Sequence, residues 1–222
     1  IAQQYIDSVN LGVGQYCTNP GIVFGIKGNA LDTFIRVAKE KVSGTQGGIM
    51  LHRGIKENFD RSVANMASEY GVIATSSGLG SGETTGVSHL FTVNAQEFIQ
   101  NPRLQHEMFG PASIIIICLN KEQLIEAATA LSGNLTATFQ ATEADLQLFK
   151  PLVSLMERKV GRLLVNGFPT GVEVCHSMVH GGSFPATTDS RFTSVGAMAI
   201  RRFFRPVCYQ NFPDEALPIE LR

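Results

Sequence analysis

The chain has 222 residues, with 18 Lys+Arg against 19 Asp+Glu for a formal net charge of −1, and it is 44% hydrophobic and 17% charged. A domain of this length buries roughly 70% of its unfolded surface, and its apolar content with so few charges excludes a disordered chain, so one or two compact units are expected. The near-even charge balance, without a dense Lys/Arg run, gives no electrostatic footprint for nucleic acid or an anionic membrane, and neither partner is expected.

Helical spacing opens the chain at Ala2 to Val9. Because the first residue is Ile1 and the helix has already begun, the chain reads as cut from something longer. A β-branched run at Gly21 to Ile26 predicts a strand, followed by helices at Leu31 to Val42 and Lys56 to Tyr70. Strands are expected at Val72 to Thr75 and Val87 to Val93. Between them, Ser76 to Gly86 carries Gly78, Gly80 and Gly82 after a strand, as a phosphate-binding turn does; the β-like run that follows, where a helix would be needed, favours a hairpin loop.

Further along, a strand at Ser113 to Leu119, a helix at Lys121 to Leu131, a strand at Leu135 to Gln140, a helix at Glu143 to Arg158 and a strand at Val160 to Val165 follow one another with short connections. That alternation predicts βαβ crossovers and an α/β fold with a mainly parallel sheet flanked by helices. Asn166 to Gly196 then loses all period and fills with Gly, Ser, Thr and Pro; an irregular stretch of this length is expected to be functional or a lid. A helix at Ser194 to Phe204 and a strand at Arg205 to Phe212 close the pattern. A strand at a chain end is an edge for pairing, so residues 1–204 are read as the main domain and 205–222 as an association strand and tail.

The longest apolar run, Ile114 to Leu119, falls far short of the ~20 residues that cross a bilayer, and no charged segment followed by an apolar one opens the chain, so a cytoplasmic protein is expected. The cysteines at 17, 118, 175 and 208 are too sparse for a disulfide scaffold, which fits a reducing compartment, and Cys118 in the Ile-rich strand reads as a buried small hydrophobe.

Three stretches carry chemistry-bearing residues. In Gly12-Val13-Gly14-Gln15-Tyr16-Cys17-Thr18-Asn19-Pro20-Gly21, two glycines relax the backbone after a helix and Pro20-Gly21 turns it before a strand. Cys17 is there either an exposed thiol at a tight bend or a buried cysteine at a helix–strand junction. In His106-Glu107-Met108-Phe109-Gly110-Pro111, a carboxylate and an aromatic stand at the entrance to the Ile-rich strand, where ligands of α/β sheets are met; a solvated Glu beside a packing Phe is the plainer reading. In the irregular stretch, Cys175, His176 and His180 together with Cys208 do not make a zinc site of the usual spacing, so no metal is expected. Either histidine could instead activate a cysteine brought close to it.

The stretch around Cys17 resembles the nucleophile motif of the aldehyde dehydrogenase superfamily, Glu107 to Pro111 resembles its E-x-F-G-P motif, and Val179-His180-Gly181-Gly182 stands where many members have Phe-Gly-Gly. The three motifs occur in the family's order, and the resemblance runs over essentially the whole chain. Residues 166–213 look most like the branch with α-ketoglutarate semialdehyde (2,5-dioxopentanoate) dehydrogenases and NADP-dependent fatty aldehyde dehydrogenases. The resemblance implies a catalytic-domain fold in which Cys17 attacks an aldehyde, with NADP or NAD as cofactor, and a thiohemiacetal passes through a thioester to a carboxylate. It implies that Glu107 meets the nicotinamide-side ribose, that Phe109 packs near the nicotinamide, and that His180 lies near the nucleophile, tuning it or shaping the pocket. It also implies homo-oligomerisation through the C-terminal strand.

The family's dinucleotide-binding domain, its general-base Glu and its oxyanion-hole Asn precede the nucleophile by more than the residues before Cys17, so this piece is expected to be inactive alone. Two rival readings stand beside this one: a cysteine–histidine thiol hydrolase or acyltransferase using Cys17 and His180, and a non-catalytic association domain.

Overall fold

The four consecutive isoleucines of the strand at 112–118 set the architecture, because alternate side chains leave opposite faces and both faces are apolar. In the computed structural model of the chain, residues 1–169 and 171–222 are described; Thr170, inside the irregular stretch, lies outside them. The elements run α1 (Ala2–Asn10), β1 (Ile22–Ile26), α2 (Asn29–Ser43), β2 (Gly48–Ile49), α3 (Arg53–Ser68), β3 (Ile73–Ser77), β4 (Thr85–Gly86), β5 (His89–Asn94) and α4 (Ala95–Gln100). They continue with β6 (Ala112–Cys118), α5 (Lys121–Ala130), β7 (Thr136–Phe139), α6 (Glu143–Leu148), α7 (Lys150–Glu157) and β8 (Arg162–Val165).

The main sheet has the order β1-β6-β5-β3. β6 is parallel to both neighbours, with Ile114 opposite Ile22 on one side and Phe91 on the other, and β3 is antiparallel to β5. Ile114, Ile116 and Cys118 point into one core with Phe91, Val93, Phe98 and helices α3 to α5, whereas Ile115 points into a second core with Tyr5, Val9, Ala38 and Val42 of α1 and α2. Each fully buried isoleucine contributes roughly 1.5–3 kcal/mol through the area it removes from water. This two-sided burial fixes the register of β6, whose N-terminal end leads back to the Glu107–Pro111 segment.

The α/β reading from the sequence holds, and the irregular stretch after β8 is irregular in the structure. Four details differ. β7 and β8 form a parallel pair joined through α6 and α7, as expected, but β6 pairs with β1 and β5 rather than with β7. The single helix expected at Glu143 to Arg158 is two, broken at Phe149 (φ −101°, ψ 22°), because Pro151 cannot donate the hydrogen bond that would carry one helix through. In place of the helix expected at Ser194 to Phe204 a 3₁₀ segment forms over Ala197–Phe203, and Phe203 is 80% exposed; with no core beneath it, an apolar helical face has nothing to stabilise it. The strand expected at Arg205 to Phe212 has no ladder partner among the described residues, and 204–212 are exposed, since a strand requires a second edge to satisfy its backbone. The tract at Ser76 to Gly86 links antiparallel β3 and β5, with β4 at its far end and no helix after it. Among the described residues, no helix is long and apolar enough to cross a membrane.

Candidate active site

Beyond α1 the backbone passes through three successive left-handed residues, Gly12 (φ 56°), Val13 (φ 57°) and Gly14 (φ 66°). For the β-branched Val13 this conformation costs roughly 1–2 kcal/mol. It is held because the valine methyls occupy the space over two glycines: a Cβ on Gly48 or Gly86 would come within 2.6 or 2.9 Å of them. Gly14 is pressed against the Gly110-Pro111 backbone, where a Cβ would lie 2.2 Å from the Gly110 carbonyl carbon. Two of the sequence stretches are therefore packed backbone to backbone.

Side chains lock this turn further. Asn19 Nδ2 donates to the carbonyls of Gly14 (3.0 Å) and Gly110 (2.9 Å). Gln15 Nε2 donates to Gly12 O (3.0 Å) while its Oε1 accepts from the Leu51 amide (2.9 Å). Ser113 Oγ donates to Pro20 O at 2.6 Å, tying the exit of the turn to β6, and the buried Thr18 hydroxyl donates to Pro169 O. Among the described residues no acceptor lies on the Cys17 N–H. The Cys17 thiol itself is free and exposed, which resolves the sequence alternative in favour of the open bend.

The strap at 166–196 begins at Asn166, whose left-handed backbone (φ 53°) is fixed by two side-chain bonds to the Ala141 backbone, at 2.9 and 2.8 Å. It then recrosses the start of β8 at close range: a Cβ on Gly161 would meet Gly181 O at 2.5 Å, and one on Gly182 would meet Asn134 O at 2.3 Å. His180 precedes this crossing, its amide donating to Thr193 Oγ1 (2.8 Å) and its carbonyl accepting from the Ser194 amide (3.0 Å) and hydroxyl (2.9 Å).

His180 Nε2 lies 3.2 Å from Cys17 Sγ, across 163 residues of sequence. The ring is half-buried, and Nδ1 has no partner among the described residues. Burial first, and the positive charge of Arg162 second, hold its pKa below the ordinary histidine value. The ring is therefore neutral at neutral pH: with the proton on Nδ1, Nε2 accepts from the thiol, and with it on Nε2 the ring donates to a thiolate.

Glu107 and Phe109 stand on a cleft shared with Gly14, Tyr16, Asn19 and Ile22. Both are solvent-reachable, yet partial burial pushes the Glu107 carboxyl above its usual range. His176 and Cys208 are exposed, Cys175 faces Ser177 Oγ at 3.5 Å, and no group of three His, Cys, Asp or Glu side chains suited to a metal is found among the described residues. Sequence reading missed Asn19, Thr18 and Arg162. Asn19 and Thr18 lie inside the quoted motif without a chemical signature, and Arg162 is a lone cation opening an apolar strand.

Compared with known proteins, the chain is 47% identical over 223 residues to alpha-ketoglutaric semialdehyde dehydrogenase 2 of Azospirillum brasilense, an alignment covering 98% of the chain and 42% of that relative. It is 44% identical over 224 residues to alpha-ketoglutaric semialdehyde dehydrogenase of Acinetobacter baylyi, covering all of the chain and 43% of the relative. The chain thus spans less than half the length of the curated relatives it matches. Similar solved structures include proline utilization A of Bdellovibrio bacteriovorus (TM-score 0.74, 19% identity, 94% of the chain and 22% of that protein). A betaine aldehyde dehydrogenase mutant of Staphylococcus aureus in complex with NAD+ is another (TM-score 0.70, 13% identity, 91% of the chain and 41% of that protein). At such identities these structures speak for the fold alone. No family model matches the chain.

Proposed function

Because the chain belongs to the aldehyde dehydrogenase superfamily, we propose that the protein carrying it oxidises an aldehyde to a carboxylate with NAD or NADP, using Cys17 as nucleophile. The observation that carries this reading is the exposed thiol on a locked bend with the His180 imidazole 3.2 Å away. The names of the relatives point to an α-keto semialdehyde as substrate.

Cys17 Sγ adds to the aldehyde carbon as its proton passes to His180 Nε2, which is free to accept when Nδ1 carries the ring proton. The developing oxyanion is met by the Cys17 N–H. When bound, the nicotinamide cofactor supplies the hydride acceptor. The described residues fit one side of such a cofactor: the accessible Phe109 ring offers an apolar face, and the Glu107 carboxylate offers an acceptor for ribose hydroxyls. The acyl group left on Sγ as a thioester is released by water. The exposed apolar side chains of the tail, Phe204, Val207, Tyr209 and Phe212, suit association with a second copy of the protein.

The test uses the full-length protein with α-ketoglutaric semialdehyde and each nicotinamide, following formation of the reduced cofactor. Cys17→Ser is expected to abolish it. Thioester hydrolysis without any cofactor reduction would instead support the hydrolase reading, and unchanged oxidation in Cys17→Ser would remove Cys17 from the mechanism.

A further inference from the structure

Arg162 touches neither Cys17 nor His180, yet it is tied to both segments that make their contact. Arg162 opens β8 beneath the strap, half-buried, and makes no ion pair among the described residues. Its fork is spent on the strap instead. Nη1 donates to Gly171 O (2.9 Å) and lies 3.7 Å from Met178 Sδ, and Nη2 donates to Pro169 O (3.3 Å). Pro169 O also accepts from the Thr18 hydroxyl, one residue from the nucleophile. One carbonyl therefore joins the guanidinium to the Cys17 turn, and the Met178 contact lies two residues from His180.

Two nitrogens of one planar group reach two carbonyls at once, which a single ammonium does not do in the same geometry. The His180 ring meets the Cys17 thiol, and the strap holds the residue's backbone through Thr193 and Ser194.

We propose that Arg162 is a positioning residue: its planar fork pins the strap to the Cys17 turn so that His180 meets Cys17. This deepens the reading of Cys17 and His180 given above, but its consequences are read on the two side chains and need no turnover.

In the full-length protein, the pH dependence of His180 acylation by diethylpyrocarbonate, mapped by peptide mass, reports the neutral ring, and iodoacetamide labelling of Cys17 reports the contact. Arg162→Gln removes the fork and should change the rate of Cys17 labelling several-fold, with any movement of the His180 midpoint upward. Arg162→Lys, which keeps the charge but not the planar fork, should leave that midpoint in place and change the rate of Cys17 labelling several-fold. A wild-type rate of Cys17 labelling in both variants would overturn the pinning role of the fork. If Arg162→Gln does not fold, Arg162→Lys decides alone: an altered labelling rate with an unmoved midpoint supports the proposal, and wild-type behaviour in both readouts sinks it. These outcomes stand whether or not the protein oxidises aldehydes, so failure of the dehydrogenase reading and failure of this one are told apart.

Discussion

The turn at 11–21 and the strap at 166–196 meet at the Cys17–His180 contact, but they are secured by different means. The turn is wedged into the sheet: Gly14 lies on Gly110, Val13 fills the space over Gly48 and Gly86, and Asn19, Gln15 and Ser113 hydrogen-bond it at successive points. The strap lies over the start of the separate β7–β8 pair on close glycine crossings and on the Arg162 fork, and most of its side chains remain reachable by solvent. The nucleophile is thus fixed by the body of the fold, while its neighbouring imidazole rides on a segment with fewer anchors. Local stability follows burial and hydrogen bonding, so the strap belongs to the less stable part of the molecule.

The largest contrast should appear in the thiols. Cys118 is fully buried at the end of β6 and its thiol is pushed up to about 11, whereas Cys17 is exposed. Brief iodoacetamide treatment followed by peptide mapping should label Cys17 at least ~100-fold faster than Cys118. Comparable labelling would mean that the bend does not present its thiol.

Glycine substitutions compare the anchors directly. Gly14→Ala combines a left-handed backbone (φ 66°) with a carbonyl carbon 2.2 Å from the new Cβ, and should cost about 3 kcal/mol in urea denaturation. Gly171→Ala in the strap has nothing within 4 Å of its Cβ and should change stability by less than about 0.5 kcal/mol. A large loss from Gly171→Ala, or none from Gly14→Ala, would reverse the comparison.

Hydrogen bonds give a smaller difference of the same sign. Asn19→Ala removes the donor to the Gly14 carbonyl and one of the two donors to Gly110 O, which also accepts from the Ala112 amide, and should cost about 2 kcal/mol, against about 0.5 kcal/mol for Ser194→Ala, whose hydroxyl serves His180 O from an exposed position.

The smallest effect is a slope with pH. His180 has a folded pKa below the 6.5 of the free side chain. Above that value both folded and unfolded chains carry a neutral ring, and it costs nothing. As pH falls through 6.5 the unfolded chain takes up a proton that the folded one refuses, so stability declines until the folded ring also protonates. His89, held low mainly by burial, acts in the same direction from within the sheet. Subtracting the pH dependence of His180→Phe from that of wild type isolates the strap's share. An identical slope in both would mean that the ring is not held against the protein in solution.

Much of this protein is written locally. The helix of α1, the Ile-rich β6, the Gly- and Pro-flanked bend at Cys17 and the irregular stretch after β8 follow from residue period and turn chemistry, which act over a few neighbours. The three motifs and their order already resemble those of the aldehyde dehydrogenase superfamily before any contact is known. Tertiary structure decided the rest. β6 pairs with β1 and β5 because both of its faces are covered by helices, and the C-terminal segment stays unpaired because a strand needs a second edge. The glycine contacts of Gly14 with Gly110 and of Gly161 with Gly181, the Thr18 bond to Pro169 across 151 residues, and the placement of Arg162 beside His180 leave no trace in periodicity. They join residues far apart in sequence, where only the folded backbone determines which groups come within the few ångströms over which hydrogen bonds and packing forces act.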